Sequence, residues 1–329
     1  MCESKYHCPL YSKIILNLEN GDCHYMSKHS LLKIFCITFV LLIFIYSVLY
    51  DRYKGTGGYH YSNRVAVLEY HNIGPNASDY TITPETFKSH LEALKANHYH
   101  VISMKEFVDF LNGKSTVPPD AVVITFDDGY ESFYKYAYPT LNEQKMSATN
   151  FIIVSYLGTN PGTPFLNWDE IIRMKADGFN FYSHTFKSHD FSADQNGNPV
   201  SPLTNPIYLD EKKRMETDDE YKQRVKSDLA EAEKIIQEKL GIQDKLFCFP
   251  HGRYNKALID IGDQLGYKYY FTGLDGLNTP GTKLIKRINA GSAKMKASSL
   301  LRILNGETSV TGNLRILLKN IVVTQRMSD

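Results

Sequence analysis

The chain is poor in cysteine where a stapled domain would need it. Of five cysteines, Cys2, Cys8, Cys23 and Cys36 lie in the first 36 residues and only Cys248 lies beyond. A disulfide within the long remainder is excluded. That part stands on its own apolar core, as a cytosolic protein or a large exported domain does. A dominant charge is missing too: 37 basic against 36 acidic residues leave a net charge of +1, which removes any electrostatic argument for a nucleic-acid partner. There is one tryptophan against 23 tyrosines. Neither an internal repeat nor a coiled-coil heptad is present. What remains is 329 residues, 22% charged and 43% hydrophobic, the ordinary composition of one large globular domain with additions.

One long apolar run stands out. Ile34 to Tyr50 is 17 residues without a charge. With Leu31 and Leu32 across Lys33 it reaches the roughly 20 residues that span a bilayer. No small-residue cleavage site follows, so the reading is a retained anchor and not a cleaved signal. Lys5, Lys13, Lys28 and Lys33 on its amino side point to an inside N-terminus and an extracellular domain, a single-pass protein of the cell membrane. The expected organisation is a cytoplasmic tail (1–30), a transmembrane helix (31–50), a Gly-rich linker (51–63), a folded domain (64–290) and a helical C-terminal extension (291–329).

Within the domain, short apolar runs alternate with amphipathic patterns. Strands are expected at 65–70, 121–126, 148–154, 179–183, 246–249, 267–271 and 284–288. Helices are expected at 84–97, 105–111, 131–144, 168–176, 217–240 and 256–265. The stretch 121–126 is nearly all apolar, as in a parallel strand buried on both faces. A polar insertion covers about 190–205. Helix 217–240 reads as a solvated outer helix with Leu229, Ala232 and Ile236 inward. The rhythm predicts an α/β fold with right-handed crossovers. Polar motifs fall where strands end, which suggests a barrel-like arrangement.

Those motifs carry the chemistry. Asp127 and Asp128 follow the strand 121–126 and precede Gly129. Two adjacent carboxylates at a strand mouth are costly unless they serve a cation or proton transfer; alone, Asp-Asp-Gly is also a common turn. His184 and His189 lie five apart, too far for one face of a regular helix, and converge only across a turn. Alone they could be surface histidines. Together, one Asp and two His leave open positions on a divalent metal, and the second Asp is left to act as base. This is equipment for metal-assisted hydrolysis of an amide or ester. His71 sits after a strand, either as a substrate or acid group or as a structural hydrogen bonder. Trp168 reads as a core anchor or a sugar subsite, and Cys248 as a small buried filler.

The segments Thr125–Tyr130, Ser183–His189 and Phe249–Gly252 resemble the polysaccharide deacetylases of the NodB-homology family, carbohydrate esterase family four. Val67–His71, Thr83–Phe87, Phe271–Gly273 and Lys286–Ile288 are also similar, and the likeness is to the branch acting on poly-N-acetylglucosamine. It covers about residues 65–288. The resemblance implies a deformed (β/α) barrel of about seven parallel strands. It implies Asp127 as catalytic base and Asp128, His184 and His189 as metal ligands, with zinc expected and cobalt, nickel or manganese as alternatives. It implies the His251 backbone N–H as oxyanion donor and an N-acetylated polysaccharide as substrate. Three departures stand out. The histidine spacing is one longer than the commoner pattern. Cys248 stands where many members carry an arginine that braces the base. No histidine follows His251, so the general acid falls to His251, His71 or solvent. An O-acetyl esterase of the same fold, or a glycan-binding module with weakened catalysis, shares these features.

Overall fold

The computed structural model describes residues 28–54 and 59–328. These fall into two units divided after Tyr50. The expected cytoplasmic tail lies, for residues 1–27, outside the described residues.

The first unit contains most of α1 (Lys28–Lys54). Its apolar side chains from Leu31 to Tyr46 are exposed on every side of the helix. Side chains are described for residues 30–46 and 49, short of the 31–50 span expected from the sequence. Among the described residues, no helix is long and apolar enough to cross a membrane.

The second unit is built on one parallel sheet. Its strands are β1 (Val65–Tyr70), β2 (His100–Val101), β3 (Ala121–Asp128), β4 (Thr149–Ile152), β5 (Asn180–Ser183), β6 (Leu246–Cys248), β7 (Tyr269–Phe271), β8 (Leu284–Ile285) and β9 (Ile288–Asn289). The order is β8-β7-β6-β5-β4-β3-β1-β9, with β2 on β3. The two strands at opposite ends of that order are joined by Lys286 and Arg287 alone. Three residue steps reach about 10 Å, so the sheet must curl until its edges nearly meet. The expected strand 284–288 is thus two strands, because the chain crosses the gap there. The result is a curled α/β barrel left open at one seam.

Alternation sorts the side chains. Val65, Val67, Ala121, Val123, Phe151, Tyr182, Leu246 and Phe271 form one buried cluster, which includes Phe107, Phe110 and Leu111 of α3 (Met104–Leu111). Ala66, Leu68, Tyr70, Val122, Ile124 and Phe126 form another with α2 (Pro84–Ala96), α4 (Tyr138–Gln144), α5 (Trp168–Ala176) and α6 (Asp218–Leu240). The first cluster is the barrel interior, with α3 plugging its amino end. The second lies between sheet and outer helices. This period of two follows from the pleat.

Helix starts follow their caps. Thr83, Ser103, Asn167 and Thr217 each accept the N3 backbone N–H, and the last three form capping boxes with Glu106, Glu170 and Glu220. The insertion after His189 makes two small antiparallel hairpins, 192–200 and 208–215. α7 (Lys256–Gln264), α8 (Ala297–Gly306) and α9 (Val310–Ser328) complete the chain. The extension 291–329 belongs to the same compact unit as the barrel. That unit also begins earlier than expected: Tyr61 is buried, and the Asp120 carboxylate accepts the backbone N–H groups of His60 and Tyr61 at 2.9 and 2.8 Å.

Candidate active site

Register brings the motifs to one rim. Asp128 pairs with Ile152, and Ile152 with Ser183. His184 follows Ser183 directly, so it emerges two strands away from Asp128, across β4, at the carboxyl end of the sheet. Adjacent residues of a regular strand point to opposite faces. Asp128 escapes this through a φ of 76°, and Gly129 follows at 84°. A Cβ on Gly129 would meet Ile152 Cγ2 at 3.1 Å. The glycine therefore serves the close turn that lets both carboxylates share one pocket.

The two histidines converge as the turn reading requires. Thr185 takes a φ of 84°, a conformation that costs a β-branched residue roughly 1–3 kcal/mol. The turn is held from outside. Asp228 of α6 accepts the N–H groups of Phe186 and Lys187 at 3.0 and 2.9 Å and the Ser188 hydroxyl at 2.9 Å. Thr185 Oγ1 is buried and makes no hydrogen bond. Leu229, Ala232 and Ile236 of α6 face inward as expected, and Asp228 and Glu233 are buried beside them. Helical spacing shows why, since Val225, Asp228, Leu229, Ala232 and Ile236 share one stripe.

His184 Nε2 and His189 Nε2 lie 3.4 and 3.2 Å from Asp128 Oδ1. His184 Nδ1 donates to the Cys248 carbonyl at 2.9 Å, and His189 Nδ1 faces Asp190 Oδ1 at 3.2 Å. Asp190 also accepts the Tyr156 hydroxyl. With each Nδ1 occupied, each Nε2 presents a lone pair. Asp128 Oδ1 is buried without a hydrogen bond. Three electron-rich atoms meeting at a buried point match the donor set of a divalent cation. Burial opposes ionisation of Asp128, but hydrogen bonds and charge from the two imidazoles in their protonated form outweigh it and hold its carboxyl well below the usual range.

Two other groupings come equally close, Asp127 with His184 and Cys248, and Glu69 with His71 and Asp127. Both depend on Asp127, whose two oxygens are already engaged. Arg287 Nη1 and Nη2 donate to Asp127 Oδ1 and Oδ2 at 2.7 and 2.8 Å, and Nη2 lies 3.0 Å from Glu69. Cys248 donates its thiol to Asp127 Oδ2 at 3.4 Å, and burial pushes that thiol well up. Burial also works against Asp127 as an anion, but the Arg287 guanidinium beside it prevails, and its carboxyl lies below the usual value. The brace expected at position 248 therefore comes from the seam, at Arg287. The segment Lys286–Ile288 carried that signal only as part of the resemblance.

His71 Nε2 is 3.9 Å from Asp127 Oδ2, its Nδ1 is buried without a partner, and its ring meets Tyr80 edge-on at 5.5 Å. His251 stands differently. It is exposed at the rim, its Nε2 donates to the His189 carbonyl at 3.0 Å, and its ring stacks on Phe191 at 4.5 Å. Enclosure of the ring, then the neighbouring His189, push it down to about 4. Trp168 is half-buried against the outer core, with Lys239 over its ring, as a core anchor would be.

The polysaccharide deacetylase family model matches residues 114–270. The de-N-acetylase of Aggregatibacter actinomycetemcomitans superposes with a TM-score of 0.67 at 28% identity, over 73% of this chain and 99% of that one. This chain contains a polysaccharide deacetylase domain. The poly-beta-1,6-N-acetyl-D-glucosamine N-deacetylase of Escherichia coli K12 is 25% identical over 65% of this chain and 34% of its own length. The Staphylococcus epidermidis protein of the same name is 26% identical over 61% and 64%. The chain thus spans about a third of the E. coli relative. IcaB from Ammonifex degensii, at 24% identity and a TM-score of 0.64, shares the fold. The family match leaves out His71 and Arg287, so the deacetylase domain reaches beyond it on both sides to complete this pocket.

Proposed function

We propose that the deacetylase domain hydrolyses acetamido groups of N-acetylglucosamine-containing polysaccharides, with Asp128, His184 and His189 holding a divalent metal and Asp127 acting as base. The observation that carries this reading is the bare, buried Asp128 Oδ1 facing two imidazole nitrogens whose ring partners are already engaged. Two nitrogens and one oxygen suit zinc, with cobalt, nickel or manganese as alternatives. When bound, such a cation lowers the pKa of a water and polarises the acetyl carbonyl. Asp127, kept ionised and fixed by Arg287, accepts the proton of the attacking water. The His251 backbone N–H, on a turn with a φ of 56°, serves as an oxyanion donor. His71, beside Asp127 with a bare Nδ1, delivers the proton to the leaving amine. The His251 side chain is already engaged at the rim, with its Nε2 on the His189 carbonyl.

The substrate class is drawn from the names of the E. coli and Staphylococcus relatives. The uncharged run Ile34–Tyr50 and the exposed apolar surface of α1 support a single membrane span with the domain outside the cell. The test is acetate release from N-acetylglucosamine oligomers by the purified chain, with and without chelator. Metal-dependent release is expected; none from any N-acetylated glycan overturns the reading.

A further inference from the structure

Helix α9 is amphipathic in the reverse sense. Its polar face points inward. Arg315 reaches Asp275 Oδ2 at 2.8 Å and pairs with Glu307, and Lys319 reaches the same Asp275 oxygen at 2.9 Å. The Asn320 carboxamide accepts the Asp275 N–H at 2.7 Å and donates to its carbonyl at 3.1 Å. Asp275 and Glu307 are 0% and 2% exposed. The buried Asp275 carboxylate thus clamps two cations of the helix, with Glu307 bonded to one of them, and fixes its rotation. Removing either partner of such a pair leaves an uncompensated buried charge, so the helix cannot roll over cheaply.

Its apolar face points outward. Leu314, Leu317, Leu318, Ile321 and Val322 follow i, i+3, i+4, i+7, i+8 spacing and are 46 to 57% exposed. A single exposed leucine needs no explanation, but a stripe of five marks an interaction surface. The charge that reaches the surface beside it is basic: Arg302 is exposed, and Arg315 and Lys319 are partly exposed, whereas the acids they meet, Asp275 and Glu307, are buried. A groove between α8 and α9 is lined by Ser299, Arg302, Ser309, Thr311 and Arg315. Exposed Arg302 meets only the Ser299 hydroxyl there, at 3.4 Å.

We infer that α9 lies in the surface of an anionic lipid bilayer, its apolar stripe in the acyl boundary and Arg302 at the headgroup phosphates. An apolar helix face with a basic rim is the chemistry of an interfacial helix. A second copy fits less well, because a twofold contact through this face would bring basic rims together. For the nearness of a bilayer the inference rests on the α1 anchor proposed above. The placement has a consequence for the site. A Cβ on Gly273 would meet Val323 of α9 at 3.9 Å and the backbone of Gly252, next to His251, at 3.7 Å. A bilayer under α9 therefore lies beside the mouth of the pocket, where a polymer emerging from the membrane would meet it.

The experiment reconstitutes the full chain carrying Leu317→Trp in neutral and in anionic phospholipid vesicles, with the unmutated chain as the reference for Trp168. Position 317 is exposed, so the fold tolerates the change. The expected result is blue-shifted emission from 317, quenched most by lipids brominated near the headgroup, because an interfacial helix sits about 5–10 Å into that boundary. Adding Arg302→Gln should weaken the quenching in anionic vesicles alone. Emission that stays solvent-like and unquenched in both vesicles overturns the inference. So does a shift without quenching that vanishes on dilution, which would assign the stripe to a second copy. An alkaline wash reports α1 separately. A chain washed off the vesicles despite a quenched 317 removes the anchor alone, and a retained chain with an unquenched 317 removes the α9 inference alone.

Discussion

The Arg287 guanidinium grips the Asp127 carboxylate at two points, 2.7 and 2.8 Å, with both side chains buried. The same guanidinium holds Glu69 at 3.0 Å. Lysine cannot reproduce a fork. Arg287→Lys should therefore misplace the base and lower kcat on N-acetylglucosamine oligomers by at least about 100-fold. Arg287→Ala should in addition cost about 3–5 kcal/mol, since it strands the buried Asp127 carboxylate and the half-buried Glu69. Steady-state kinetics and denaturant melts read the two effects. A near-normal kcat in Arg287→Lys would reduce Arg287 to a structural residue.

The metal site predicts a linked pair of losses. Asp128→Asn and His189→Ala should each lose bound metal, measured by elemental analysis of the purified protein, together with acetate release. A ligand that binds only the folded state adds about 2.7 kcal/mol at a hundred times its Kd. Chelator should accordingly lower the melting temperature of the unmutated chain and leave that of Asp128→Asn unmoved. An equal chelator shift in both would place the ion elsewhere.

How much of this was legible beforehand depends on the range of the interaction. The strand mouths are readable because short runs of four to six mostly apolar residues end abruptly in Asp127, His184 and Pro250, and seven strand runs do form one parallel sheet. The convergence of His184 and His189 needs a turn, and the turn needs Asp228, forty residues on in the inward stripe of a charged helix, where spacing alone does not mark a buried acid. Arg287 was harder still. It reaches Asp127 only because the sheet curls until the seam closes, a three-dimensional fact with no local periodicity. The reversed polarity of α9 was likewise hidden, because helical spacing shows that a stripe exists but not which way it faces.

The two candidate proton donors should separate cleanly. His71→Gln removes the ring beside Asp127 and should lower kcat by roughly 10²–10⁴-fold, the usual worth of a positioned acid. His251→Ala keeps the backbone N–H and removes only a rim side chain tied to the His189 carbonyl, so its loss should be far smaller. The reverse order would return the acid to His251.

Two buried acids away from the pocket make stability fall as pH rises. Glu233, packed beside Tyr267, is raised to about 7 by burial, and Glu307, beside Asp275, is raised to about 7 by burial and then by that carboxylate. Each prefers to be protonated in the folded state. Its stabilisation is complete below the ordinary glutamate value and is lost as pH climbs through about 7. For Glu233, a rise from 4.5 to about 7 at about 1.4 kcal/mol per pH unit is on the order of 3 kcal/mol. Glu233→Gln carries no charge to desolvate, so denaturant melts between pH 5 and 8 should show a flatter profile and a gain over the unmutated chain on the alkaline side. Glu307 stays in the variant, so part of the slope should persist. Parallel profiles for the two proteins would mean that Glu233 is already ionised in the fold, with water or Lys245 meeting its charge.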